Sequence, residues 1–148
     1  MQLLCYGTLA GGFFSERWLG APEPVELTNR SLIKYQLIID DCGGWDAFQS
    51  LLRTLKTIAG RHRTSIAAVA TRWVLDRPGV AAAIVGARYA DHLDDTLAVF
   101  SLHLDDADHA MLAPWLAAHP GPQGDTYTLE RDKTGRHGRI MKYNLNKT

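Results

Sequence analysis

The stretch TSIAAVATRWVLDRPGVAAAIVGAR, residues 64–88, decides the fold class. In its first half Ile66, Val69, Ala70, Trp73 and Val74 recur at helical spacing, which predicts a helix with one buried stripe. Thr64 or Ser65 can cap its start. Arg77-Pro78-Gly79 ends it, because proline has no N–H to donate and clashes with the preceding turn. The second half, VAAAIVGAR (80–88), is short and continuously apolar up to Gly86, and reads as a strand. Residues 2–6, QLLCY, form a second run of this kind, too short for a helix and apolar enough for a strand buried on both faces. Two such strands separated by helices imply parallel pairing and an α/β fold.

Between and beyond the strands the pattern is helical in blocks. From Trp45 to His62, Phe48, Leu51, Leu52, Leu55, Ile58 and Ala59 fall on one face. Arg61, His62 and Arg63 suit the negative end of that helix. A third helix is expected over about 90–100, with Leu93, Leu97 and Phe100 on one face. Asp105 is expected to cap a fourth, which turns Met111, Leu112, Trp115 and Leu116 inward and is shortened or kinked at Pro114. Residues 15–44 read as irregular, with Pro22, Pro24 and a turn at Cys42-Gly43-Gly44. Within them SLIKYQLII (31–39) fits a helix or a strand alike. The segment from His119 onward, rich in Gly, Pro, Lys and Arg, reads as an extended basic surface tail.

Composition sets the outer limits. The chain has 148 residues, 46% hydrophobic and 22% charged, with zero formal charge, as expected of one soluble domain. No net field favours nucleic acid or a membrane surface, and no apolar run approaches the ~20 residues of a spanning helix. The start lacks the basic region and the apolar length of a signal peptide. Cys5 and Cys42 stand far apart and outside any CxxC pattern, which fits free thiols in a reducing cytoplasm. The six histidines show no HExxH or comparable spacing, so no metal site is expected. No GxSxG elbow is present.

Two loops have residues suited to an anionic ligand. In IVGARYADHLDDTL (84–97) a strand ends at Gly86, Arg88 follows, and a helix begins near Ala90. A glycine lets a ligand approach the backbone, and Arg88 beside a helix N-terminus can hold a phosphate. His92 and Asp95 lie one turn apart. In YGTLAGGFF (6–14), Tyr6 can stack on a planar ring while the N–H groups of residues 7–12 meet a pyrophosphate, with Arg17 nearby. This is not GxGxxG, so the dinucleotide fingerprint of Rossmann domains is missing. An ordinary strand-to-helix turn and an ordinary glycine loop fit the same residues.

YGTLAGGF, a long helical crossover, SIAAVATRWVLDRPGV and then IVGARYADHLDDTL together resemble the last part of an aldo-keto reductase, over residues 2 to about 116. The resemblance implies a C-terminal fragment of a (β/α)8 TIM barrel, with QLLCY as the seventh strand and VAAAIVG as the eighth. Residues 1–118 then belong to an NADP(H)-dependent oxidoreductase domain, and 119–148 to a basic C-terminal extension. It further implies that Tyr6 stacks on the nicotinamide, that Gly7, Thr8, Leu9 and Arg17 line the phosphates, and that Gly86 and Arg88 meet the ribose 2′-phosphate. His92, Asp95 and Thr96 take the positions that hold ribose and adenine. Gly7-Thr8 stands where the family often has Ser-Pro, and His92 and Thr96 stand where Gln and Asn are common.

The family's catalytic Asp, Tyr, Lys and His lie on earlier strands, so the resemblance supplies no catalytic residue here. It implies a truncated barrel that clasps the cofactor without reducing a carbonyl on its own. The rival expectations are a non-catalytic interaction protein that associates through exposed strand edges, and a small independent α/β domain with a phosphate site.

Overall fold

The computed structural model describes residues 1–86 and 90–141. Strand β1 (Leu3–Tyr6) is followed by helices α1 (Arg30–Asp41), α2 (Gly44–His62) and α3 (Ile66–Leu75), and then by strand β2 (Val80–Ile84). Helices α4 (Leu93–Ala98), α5 (Asp106–Ala118), α6 (Thr126–Arg131) and α7 (Arg136–Arg139) complete the described chain, with short 3₁₀ turns at 10–12, 16–18 and 90–92. β1 and β2 pair in parallel, with Tyr6 opposite Ile84. The order strand, helices, strand, helices and the parallel pairing are those expected from the sequence.

The core is helical and aromatic. Leu52, Ile58, Ile66, Val69 and Phe13 are fully buried, on α2, on α3 and in the loop after β1. The Phe13 ring lies 5.0 Å from that of Trp18, 5.9 Å from Trp45 and 6.1 Å from Phe48, within the range of favourable ring pairs. Buried Gln49 fastens the loop above them, since its amide donates to the Trp18 carbonyl at 2.8 Å and its Oε1 accepts from the Gly20 N–H at 2.8 Å. The Trp45 indole donates to the Ala21 carbonyl at 3.0 Å. Arg63, in the left-handed conformation at φ 51°, closes α2, and Ser65 caps α3 by accepting from the Ala68 N–H at 3.1 Å.

Several expectations change or are decided. The segment 30–41 is a helix, capped by Asn29, whose side chain accepts from the N–H groups of Ser31 and Leu32. The residues read as irregular therefore contain a three-turn element. The strands are not buried on both faces. Leu3 is 48% exposed, Leu4 63%, Tyr6 55% and Ile84 57%, because each strand has a partner on one side only and the described helices do not enclose the pair. Leu93, Leu97 and Phe100 likewise stay exposed. On α5, Leu112 is buried, Met111 and Trp115 are half-buried, and Leu116 is largely exposed. Pro114 sits inside α5, which continues to Ala118.

The described residues after His119 do not form an extended tail. α6 and α7 fold back onto α1. Lys34 pairs with Glu130, and Arg136 pairs with Asp41 and donates to the Leu37 carbonyl at 2.9 Å. Buried His137 meets Asp41 at 2.6 Å. A capping box opens α5, with Asp105 accepting from the Asp108 N–H at 2.9 Å and Asp108 accepting from the Asp105 N–H at 3.0 Å. Fully buried Asp108 also pairs with Arg61 and His62, which ties α5 to the end of α2.

Candidate functional site at the carboxyl edge of the strands

Parallel pairing sends both strands' C-terminal ends to the same edge. Because Tyr6 sits opposite Ile84, the loop starting at Gly7 and the loop starting at Val85 leave side by side. The pairing brings together the starts of the two loops and shows no more of the sequence-predicted residues than their place along them. Gly7, Thr8 and Leu9 follow β1 directly, Gly86 follows β2, and His92, Asp95 and Thr96 lie at the start of the helical segment beyond. Arg88 lies outside the described residues.

The first loop is tightly turned. Gly7 has φ 72°, Gly11 φ 67° and Gly12 φ 106°, values that L side chains rarely adopt. A Cβ at Gly12 or at Gly86 would meet nothing within 4 Å, so both positions are open to close approach. At Gly7 the space a Cβ would take is filled by the Tyr35 hydroxyl. Thr8 is buried. Leu9 accepts the Gly12 N–H at 2.8 Å through its carbonyl. Arg17, in the 3₁₀ turn at 16–18, is exposed and lies over the Trp18 ring at 5.4 Å. On the second loop, His92 is exposed and Asp95 half-buried. The Thr96 hydroxyl donates to the His92 carbonyl at 3.0 Å, which leaves its oxygen lone pairs as acceptors.

Tyr6 is the best-partnered of these residues. Partial burial, and then the neighbouring Tyr127 hydroxyl, push its phenol above the ordinary value, so the ring is held neutral. The Lys34 ammonium lies 6.0 Å from the Tyr6 ring centroid and 5.8 Å from that of Tyr35. Burial opposes the charge on Lys34, but its bond to Glu130 outweighs this and holds it above its ordinary value. None of Lys34, Tyr35, Tyr127 and Glu130 was signalled by sequence. They reach Tyr6 only because α1 and α6 fold over the carboxyl end of β1.

The loops provide open backbone at Gly12 and Gly86, an exposed aromatic ring at Tyr6 and acceptors at Asp95 and Thr96. These suit a planar ring joined to phosphates and sugars, although direct contact with Gly7 requires Tyr35 to move. Among the described residues no group of three or more His, Cys, Asp and Glu side chains is placed to hold a metal ion. No helix among them is long and apolar enough to cross a membrane.

A family model described as the aldo/keto reductase family matches residues 1–115. The chain belongs to the aldo/keto reductase family. That family folds as a TIM barrel, and the two parallel strands with their helices are an incomplete barrel. Flagellar radial spoke protein 5 of Chlamydomonas reinhardtii is 31% identical over 80 residues, which cover 51% of this chain and 15% of that protein. The match thus spans a minor part of this relative's length.

Proposed function

We propose that residues 1–118 are the cofactor-clasping, C-terminal part of an NADP(H)-dependent aldo-keto reductase, from the seventh barrel strand onward. One observation carries this reading: two glycine-bearing loops leave the same edge of adjacent parallel strands. In TIM barrels that edge bears the active site. Tyr6 offers its ring face to the nicotinamide, and the N–H groups of the loop at Gly7, Thr8 and Leu9 meet the phosphates, with Arg17 adding positive charge. Gly86 and Arg88 take the 2′-phosphate side, and His92, Asp95 and Thr96 the ribose and adenine. The nicotinamide, when bound, supplies a hydride to an aldehyde or ketone. No proton donor is assigned among these residues, so the reading covers cofactor binding and not carbonyl reduction, with Cys5 and Cys42 read as free thiols in a reducing cytoplasm.

The test is a titration of the full chain with NADPH and with NADH, followed by amide resonances. Weak but saturable shifts confined to the loops at 6–12 and 86–96 are expected, with no carbonyl turnover. Arg88→Ala should remove the preference for NADPH. Aldehyde-dependent oxidation of NADPH by the chain, or no response at either loop at millimolar cofactor, would overturn the reading.

A second reading, a non-catalytic interaction protein, is favoured by the exposed side chains of Leu3, Leu4, Ile84, Leu93, Leu97 and Phe100. Exposed apolar side chains that form a contiguous patch mark interaction sites. It predicts a stable, stoichiometric oligomer by light scattering, and a monomer sensitive to protease would sink it.

A further inference from the structure

Between α1, α2, α3, α5 and the loop after β1 lies a pocket of about 220 Å³, partly open to solvent. Phe48, Trp73, Trp115, Ala70, Ile38 and Cys42 are among its walls, and no charged side chain lines it. Few polar atoms face it. The Trp115 indole N–H donates to the Ala47 carbonyl at 2.8 Å, and the Tyr35 hydroxyl sits against Gly7. An ordered water is held by two to four polar partners, and this pocket offers almost none. Its volume is enough for one benzene-sized guest, which a cavity of ~150 Å³ can take.

We propose that this cavity is a binding site for a small uncharged hydrocarbon group, a single aromatic ring or a short alkyl chain. The aromatic walls supply dispersion contacts along the faces of such a guest, and the lack of charged lining excludes ions. Cys42 reports on occupancy, because its thiol lies at the wall while the other cysteine, Cys5, lies on β1 outside the cavity. Burial pushes the Cys42 thiol upward, and the neighbouring Asp41 adds to this. Cys42 should therefore react slowly even in the empty cavity.

The experiment uses the full chain with toluene as probe, and with benzoate as its charged counterpart. Toluene is expected to raise the melting temperature in a saturable way and to slow alkylation of Cys42 by iodoacetamide several-fold, with Cys5 unchanged. Benzoate should do neither. Ala70→Leu fills part of the cavity and should abolish both toluene effects. Cys42→Ile fills it from α1 and should abolish the melting shift if Ala70→Leu fails to fold. The proposal fails if toluene leaves Cys42 reactivity and the melting temperature unmoved, if Cys5 and Cys42 are protected alike, if benzoate is as effective, or if a folded cavity-filling variant responds as the wild type does.

Discussion

The helical core and the two-stranded sheet are built from the same kinds of side chain and have opposite fates. Phe13, Leu52 and Ile58 are fully buried, whereas Leu4 and Ile84 are more than half exposed. Hydrophobic side chains stabilise a fold only where something covers them. In this chain α2 and α3 cover each other and hold the loop after β1 beneath an aromatic cluster. The sheet has cover from part of one side and open edges. Stability and site therefore reside in different places: the core fixes the loops, and the sheet end presents them.

Truncating the core should give the largest effects. Phe13→Ala removes the ring at the centre of the cluster and should cost about 3–5 kcal/mol, with Leu52→Ala close behind at about 2–5 kcal/mol. Leu4→Ala on the sheet should stay within about 0.5 kcal/mol. Urea unfolding of the three variants measures the contrast, and comparable losses at Leu4 and Phe13 would dissolve it.

A buried charge comes next. Asp108 has no exposed surface and holds Arg61, His62 and the Asp105 N–H. Asp108→Ala leaves His62 and the Asp105 N–H without their acceptor and Arg61 with only Asp105, at 2.9 Å, and should cost about 3 kcal/mol. Restoring shape without charge through Asp108→Asn should recover only part of it, as chemical denaturation at neutral pH would show.

A smaller effect depends on pH. The Glu16 carboxylate accepts the Ile66 N–H at 3.0 Å and the Lys56 ammonium at 3.2 Å. Burial works against its ionisation, but these bonds outweigh that and hold it below its ordinary 4.5. A depressed folded value stabilises the fold fully above the unfolded value and stops doing so as pH falls through the folded one. Glu16→Gln should therefore cost about 1 kcal/mol at pH ~7, given partial exposure. The difference from wild type should shrink below pH ~4. Unfolding curves at the two pH values check both halves.

Local pattern carried most of the fold. The stripes of α2 and α3, the caps at Ser65 and Asp105 and the two short apolar runs all lie within a few residues of the structure they specify. α1 escaped because Pro22 and Pro24 precede it and SLIKYQLII has no clean period. The cue was Asn29, whose side chain caps it. The strands' exposure was illegible for a different reason: an apolar run signals a preference for burial and does not name its cover. The partners of Tyr6 come from residues up to about 120 positions away, and Asp41 meets Arg136 across 95 positions. Such contacts follow from how helices fold back, and no spacing in the chain encodes them. For the candidate site, sequence placed the two loops at one edge, while Tyr35 against Gly7 and Tyr127 on Tyr6 emerged only in three dimensions.

The finest test of the contrast lies on the sheet side, where stability is expected to change least. Leu4→Lys and Phe100→Ser each replace an exposed apolar side chain by a polar one. Neither removes core packing, so melting of the monomer should move by only a few degrees. If the sheet face and α4 carry an interaction, the double variant should lose concentration-dependent mass in light scattering, because a lysine at a strand edge blocks edge pairing. A change of association without a change of stability would assign the two properties to separate regions. Equal mass for wild type and variant at every concentration would mean that this apolar surface does not drive self-association, and the clasp reading would then stand without its rival.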